Sequence, residues 1–451
     1  MALSRVLVAN RGEIAVRVIR AARDMGMESV AVFTEPDEQA LHVAMADHSV
    51  GIGPPKAYLD VDRIVDAARE AGADAVHPGY GFLAENPRFA QACVDAGLVF
   101  VGPTADAIAA MGDKVAARRI AADAGVPTVP GSDGPVDGAT ARVVADEIGY
   151  PLVIKAAGGG GGRGIRVVDG PDALVGALSS GRREAEAAFG DPTMYVERFL
   201  PDARHVEVQV LGDGGAAVHL FERDCSLQRN RQKVVEESPS PALEPDVRDA
   251  MTGSAVRLAE AVDYHGAGTV EFLLDAATGE YFFLEMNTRI QVEHPVTELL
   301  TGVDLVGAQL RLASGEPLWL RQDDIATRGW ALECRINAED PANDFFPHPG
   351  IVRRLRLPSG PWVRVDTALT EGYEIPPFYD SMIGKIIVLG EDRPTAIDRC
   401  RRALDELVVA PIATTAPMLR DLLDDPAFRA GACSTTFLEQ WITETWKEAA
   451  S

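Results

Sequence analysis

Residues 270–297, VEFLLDAATGEYFFLEMNTRIQVEHPVT, place Glu271, Glu285, Asn287, Arg289, Gln291 and Glu293 within a short reach of one another. Apolar and aromatic runs at 270–274 and 281–284 flank the polar stretch ATGE, the pattern of a β-hairpin. In such a hairpin Glu271 and Glu285 meet at one end. Asn287 follows Glu285 by two residues and shares its face if the strand continues. Two carboxylates and an amide oxygen on one face suit a hard divalent cation, with phosphate oxygens completing its shell. Arg289, Gln291 and Glu293 continue the alternation. One row then carries a metal, an anion-binding guanidinium and a base. Charged alternation alone also describes a solvated strand face with ion pairs. Here the charges adjoin apolar runs and stop at Pro295, which favours function.

The chain has 451 residues, too many for one core and enough for about three domains. Its formal net charge of −25 disfavours nucleic acid and anionic membrane surfaces as partners. If its substrates are anions, local basic residues must overcome that field. Cys93, Cys225, Cys334, Cys400 and Cys433 form no CxxC pair, so neither a zinc site nor a disulfide framework is indicated. MALSRVLVANRGE lacks the apolar core of a signal peptide, and no apolar run is long enough to span a bilayer. A cytoplasmic protein with reduced thiols is expected.

Residues 1–113 read as a doubly wound parallel α/β domain, with strands at 6–9, 30–33, 75–77 and 99–101 alternating with helices at 14–25, 62–71 and 86–96. No GxGxxG follows the first strand, so a dinucleotide site is not indicated. HPGYGFLAEN at 77–86 follows a strand's carboxyl end, where ligand crevices open; a plain turn accounts for it as well.

The second domain, 114–328, is entered through a helix at 105–124 that carries Lys114. YPLVIKAAGGGGGRGIRVV at 150–168 ends a strand at Lys155, runs through five glycines and resumes at Ile165. Glycine lets backbone N–H groups approach phosphates closely, and Lys155 is a point charge suited to them. Without GK[ST] this is not a P-loop. A flexible linker is the other reading; its place between two β-rich runs favours a phosphate-covering loop in a lid of about 130–203. MYVERFL at 194–200 leads into a hinge at Pro201, and HVEVQVL at 205–211 alternates strictly. Arg223, Arg229, Arg231 and Lys233 crowd together as an anion site, or as partners of Glu236 and Glu237. Helices follow at 245–262 and 301–313. The third domain, 329–451, reads as α+β, its strands in 330–340, 351–357, 362–366 and 382–389, its helices at 394–408 and 415–424.

ANRGEIAVR, MGDK, VIKAAGGGGGRG, ERDCSLQR, EMNTRIQVEHPVTE, ECRINAED and FYDSMIGK stand in that order along the chain. Together they resemble the biotin carboxylase subunit of the biotin-dependent carboxylases, over essentially the whole length. The resemblance implies a central ATP-grasp domain with a mobile lid. It implies that ATP and bicarbonate give carboxyphosphate, then N-carboxybiotin on a separate biotin carboxyl carrier protein, for a carboxyltransferase subunit of the acetyl-CoA or propionyl-CoA class. A urea-type carboxylase stays open. It assigns the ATP phosphates to Lys114, Lys155, Gly161 and Gly162, and the adenine to the hinge Glu197, Arg198, Phe199 and Leu200, with His205 nearby. Glu271, Glu285 and Asn287 would hold magnesium or manganese beside ATP. Lys233, Arg289, Gln291 and Val292 would cradle bicarbonate, Glu293 would deprotonate it, and Arg335 would stabilise the ureido enolate of biotin. Tyr80 would flank biotin. Arg17, Arg20 and Asp24 resemble contacts of a homodimer.

QRNRQK at 228–233 departs from the pattern of the family it resembles, QRRHQK or an aromatic near that place. Arg231 stands where a ribose contact is expected, and an arginine there reaches a phosphate or folds outward. No Met-Lys-Met biotinyl motif occurs, so biotin is expected on another chain. Another ATP-grasp ligase would not need RIQVEHP, ECRINAED and FYDSMIGK together. A silent scaffold would not need Lys155, Glu285, Asn287, Arg289 and Glu293.

Overall fold

The computed structural model describes residues 3–132, 134–156 and 165–446. The glycine run, with Gly161 and Gly162, lies outside the described residues. Strands β1 (Arg5–Val8), β2 (Glu28–Thr34), β3 (His48–Gly53), β4 (Ala75–His77) and β5 (Val99–Phe100) form a parallel sheet in the order β3-β2-β1-β4-β5. Successive side chains of β1 leave opposite faces. Val6 and Val8 join the core of the helix Gly12–Asp24, whereas Leu7 joins that of the helices Val61–Glu70 and Pro87–Asp95. Helices cover both faces, the doubly wound arrangement expected.

β6 (Leu152–Ala156), β7 (Ile165–Val168) and β8 (Met194–Arg198) make a small antiparallel sheet, order β7-β6-β8, backed by the helices Gly138–Ile148 and Pro171–Phe189. The main sheet is antiparallel and eight-stranded. It begins with β13 (Tyr281–Asn287), β12 (His265–Asp275), β9 (Ala203–Asp213), β10 (Ala217–Arg229), β11 (Gln232–Ser238) and β14 (Trp330–Asn337), in that spatial order. The strands Met382–Gly390 and Val363–Thr367 complete it. One sheet thus runs unbroken from the β12–β13 hairpin into the last third of the chain. The joint is the β11–β14 pairing, Val235 with Cys334 and Glu236 with Glu333. It sets Lys233 and Arg335 on adjacent strands.

Three local expectations are corrected. The helix expected at 105–124 is two, Ala105–Gly112 and Lys114–Asp123. Asp113 breaks it by turning its carboxylate onto the N–H groups of Val115 and Ala116, so Lys114 opens the second helix. The strand alternation expected through Glu293 stops at Asn287, because a helix, His294–Thr301, starts with Pro295 in its first turn. That helix ends at Gly302 in the left-handed region, and the next, Leu305–Ala313, is capped by Asp304, not continuous from Thr301. Among the described residues no helix is long and apolar enough to cross a membrane. All five cysteines are buried thiols.

Candidate active site

Sheet register gathers the polar side chains on one face. Glu285 of β13 lies opposite Glu271 of β12, Glu271 opposite Glu207 of β9, and Glu207 opposite Arg223 of β10. The next rung holds Asn287, Thr269 and Gln209. Polar groups buried in mid-sheet need partners. Arg223, fully buried, supplies many of them. It donates to Glu207, Gln209 and Gln291 at 2.7 Å, to Thr297 at 2.9 Å and to Thr269 at 3.2 Å. All five guanidinium N–H groups are used.

Above this floor the Lys233 ammonium sits among three carboxylates, Glu207 at 2.5 Å, Glu293 at 2.7 Å and Glu271 at 2.8 Å. Arg335 reaches Glu293 at 2.9 Å through Nη2 and Glu236 at 2.5 Å through Nε. Burial pushes the Glu293 carboxyl up, but Lys233, Arg335 and Arg223 outweigh it and hold it well below the usual carboxylate range. Glu271 is likewise pulled down, against burial, by Lys233 and His205. His205 Nε2 lies 2.8 Å from Glu271, and the Gln228 amide nitrogen lies 2.8 Å from His205 Nδ1. An amide donor at Nδ1 leaves the ring proton on Nε2, facing Glu271.

Glu285 behaves oppositely. Burial first, then the charge of Glu271, push its carboxyl up. Two carboxyls opposed across one rung therefore repel, and a divalent cation shared with phosphate oxygens would relieve them. Asn287 borders the pair, its Nδ2 2.9 Å from Glu271 and its Oδ1 accepting from Arg289 at 3.0 Å. These residues fit a hard cation.

A cleft of about 750 Å³ opens over this face. Of the residues the sequence pointed to, Lys114, Lys155, Phe199, His205, Arg231, Lys233, Glu271, Glu285, Asn287, Arg289, Gln291, Val292, Glu293 and Arg335 line it. Lys155 pairs with Glu197, which Arg118 also holds at 3.0 Å. Arg198 turns toward Glu280 at 3.4 Å and over the Phe282 ring, and Leu200 is half-buried past the end of β8. Arg289 is held by Glu85 at 2.9 Å, and the Val292 carbonyl accepts from Lys385 at 2.6 Å. The Tyr80 hydroxyl donates to Glu13 rather than into the cleft. Arg17 pairs with Glu298 at 2.9 Å, while Arg20 and Asp24 stay exposed on their helix.

Glu207, Arg118 and the keystone role of Arg223 escaped the sequence reading. A signal for Glu207 existed, since the alternation of HVEVQVL puts it on the face of His205. Arg118 had none, because it meets Glu197 only through the fold.

Three family models match successive parts of the chain. They are the biotin carboxylase N-terminal domain over residues 2–108, the ATP binding domain of the carbamoyl-phosphate synthase L chain over 113–321, and the biotin carboxylase C-terminal domain over 333–440. Biotin carboxylase 1 of Bacillus subtilis (strain 168) is 52% identical over 444 residues, which cover 97% of this chain and 99% of that protein. A pyruvate carboxylase subunit from Methanothermobacter thermautotrophicus is 51% identical over 443 residues, covering 97% and 90%. The fold matches, with a TM-score of 0.91, the biotin carboxylase domain dimer of Hydrogenobacter thermophilus 2-oxoglutarate carboxylase, a crystal structure in complex with MgADP, ADP and bicarbonate. That match has 47% identity and covers 98% of each chain. Matched from end to end by sequence and fold, and with the cleft just described at its centre, the chain belongs to the biotin carboxylase family.

Proposed function

We propose that this chain carboxylates biotin, borne on a separate carrier protein, with ATP and bicarbonate as co-substrates. The observation that supports it best is Glu293, one carboxylate held between cations from two strands, Lys233 and Arg335, at the wall of the cleft. In this reading Lys233, Arg289, Gln291 and the backbone of Val292 hold bicarbonate, and Glu293 takes its proton. A carboxylate held low is a weak base by itself. The cations that hold bicarbonate also lower bicarbonate's proton affinity, so donor and acceptor are matched. The bicarbonate oxygen then attacks the γ-phosphorus of ATP, ADP leaves, and carboxyphosphate forms.

Lys114, Lys155 and the 161–162 glycines hold the phosphates, with Glu197 to Leu200 and His205 around the base and Arg231 toward the ribose or phosphates. Glu271, Glu285 and Asn287 would hold Mg²⁺ or Mn²⁺, which when bound neutralises phosphate charge and orients the transfer. Carboxyphosphate then yields CO₂ and phosphate, the phosphate takes the N1 proton of biotin, and CO₂ joins N1. Arg335 stabilises the ureido enolate on the way, beside Tyr80.

The same reading divides the chain into 1–113, 114–328 with a lid of about 130–203, and 329–451. It makes the protein a cytoplasmic homodimer that hands carboxybiotin to a carboxyltransferase of the acetyl-CoA or propionyl-CoA class. Relatives named for pyruvate and 2-oxoglutarate make 2-oxo acids the competing acceptors. The test is ATP hydrolysis with and without bicarbonate and free biotin. Hydrolysis should require bicarbonate, rise with biotin and yield N-carboxybiotin. Hydrolysis indifferent to bicarbonate would overturn the proposal.

A further inference from the structure

Two carboxyls behind Arg335 have no part in the chemistry above. Glu236 of β11 and Glu333 of β14 stand directly opposite each other in the ladder. Both are 0% exposed. Opposed residues share a face of the sheet, and their Cβ atoms lie about 4.5–5.5 Å apart. Glu333 and Arg335 are two apart on β14, so they share that face too. Glu236 gives one oxygen to Arg335 Nε; among the described residues its Oε2 has no hydrogen-bond partner, and neither oxygen of Glu333 has one. A buried, ionised carboxylate without a hydrogen bond is among the costliest groups a protein can hold, and two side by side cost more.

The surrounding charges do not supply what is missing. Arg335 spends Nη2 on Glu293, and Lys233 spends its ammonium on Glu207, Glu271 and Glu293. Lys385, cross-strand from Arg335, donates to Val292 and lies 3.2 Å from Glu13 and 4.0 Å from Asp366. His294, on the helix packed over these strands, is kept neutral by burial and by Lys385 and Arg17. The Cys225 thiol is likewise kept protonated by burial.

We propose that Glu236 and Glu333 form a buried carboxyl pair that holds a proton at neutral pH, and that this proton leaves Arg335 with positive charge to offer the substrate. The role of Arg335 rests on the function proposed above; the proton does not. With Glu236, Glu333 and Glu293 all ionised, three anions would already surround one guanidinium, and a fourth on the ureido oxygen would be repelled. With the proton in place the pair carries one charge rather than two, so Arg335 keeps its hydrogen bond to Glu236 and has more attraction left for the ureido oxygen. Burial pushes the carboxyl of Glu236 up to about 7 and that of Glu333 well above the usual range, in the same direction.

The test is infrared difference spectroscopy of the whole protein, wild type against Glu333→Gln and Glu236→Gln, with both variants checked for native circular dichroism. A protonated-carboxyl band in the wild type at neutral pH should vanish in at least one variant. Its absence from the wild type, or its survival in both variants, would overturn the pair. Kinetics then test the role. Glu333→Gln removes a like charge, so Glu236 should ionise at lower pH and the biotin stimulation of ATP cleavage should fade at lower pH than in the wild type. Glu236→Gln, permanently neutral, should remove that pH limb. Profiles unmoved in both variants would refute the link to Arg335. A wild type without biotin stimulation would refute the function while leaving the infrared result to decide the pair.

Discussion

At Arg223 five hydrogen bonds converge on one buried guanidinium, and at Lys233 three carboxylates converge on one ammonium. Such groups are satisfied only as a set. Removing Arg223 would leave Glu207 buried against Lys233 at 2.5 Å and His205 at 3.9 Å, and would take a donor from Gln209 and Gln291. Arg223→Met is expected to destabilise the fold by about 3–5 kcal/mol, the cost of breaking a buried pair from one side. Urea unfolding checks this, and a midpoint unchanged from wild type would show the network to be dispensable. Glu293→Gln keeps the shape but loses the proton acceptor. Bicarbonate-dependent ATP cleavage should fall by roughly 10²-fold or more, the usual worth of a positioned general base. ATP affinity in equilibrium binding should hardly change; a weakened affinity with normal turnover would place Glu293 in nucleotide binding. That Lys233, Glu293 and Arg335 line one cleft was legible because each sits in a dense motif. Arg118 was not, since a lone arginine on an amphipathic helix carries no mark of the carboxylate it will meet.

The β12–β13 hairpin was legible as an element because its two apolar runs and polar turn are local. The register that sets Glu271 opposite Glu285 followed from it. The stretch beyond Asn287 misleads in sequence, because alternation of charged residues imitates a strand while Pro295 starts a helix. The acidic rung supports a prediction of its own. Glu285→Gln should cut turnover by roughly 10²-fold or more, as losing a key electrostatic group does. Normal turnover at ordinary magnesium concentration would remove Glu285 from the metal site. The β10–β11 hairpin offers another. Its turn residues, Asn230 and Arg231, have φ of 50° and 63°. Asparagine tolerates that region, but the second place of such a turn favours glycine. An arginine held there, on the cleft wall, points to a use that outweighs the strain. Arg231→Gly should stabilise the protein by about 0.5–1 kcal/mol and weaken nucleotide binding. Stabilisation with unchanged nucleotide affinity would show that Arg231 folds outward in solution.

Over the whole molecule the decisive pairing is β11 with β14. It joins segments distant in sequence, and nothing local to either announces the other. A reading by domains separated them; the sheet fuses them. The cleft therefore has walls from two parts of the chain. Arg289 comes from the turn after β13 and lies against Asn287 and Glu85. Arg335 comes from β14 and lies against Glu236 and Glu293. If the bicarbonate anion is held on the Arg289 side and the ureido oxygen on the Arg335 side, the half-reactions should separate by mutation. Arg335→Ala should keep part of the bicarbonate-dependent ATP cleavage and lose its stimulation by biotin. N-carboxybiotin formation should fall steeply, because an enolate left without a cation in a dry site costs several kcal/mol. Arg289→Ala should damage both activities, since the anion it holds enters both steps. The two are measured side by side, ATP hydrolysis and N-carboxybiotin in one reaction mixture. Glu293 complicates the comparison, because Arg335 also holds it. Losing Arg335 would raise the proton affinity of Glu293, while Lys233 still holds it ionised, and so leave bicarbonate activation present. If Arg335→Ala abolishes bicarbonate-dependent ATP cleavage as fully as Arg289→Ala does, the two walls are one anion site, and the separation of roles across the sheet fails.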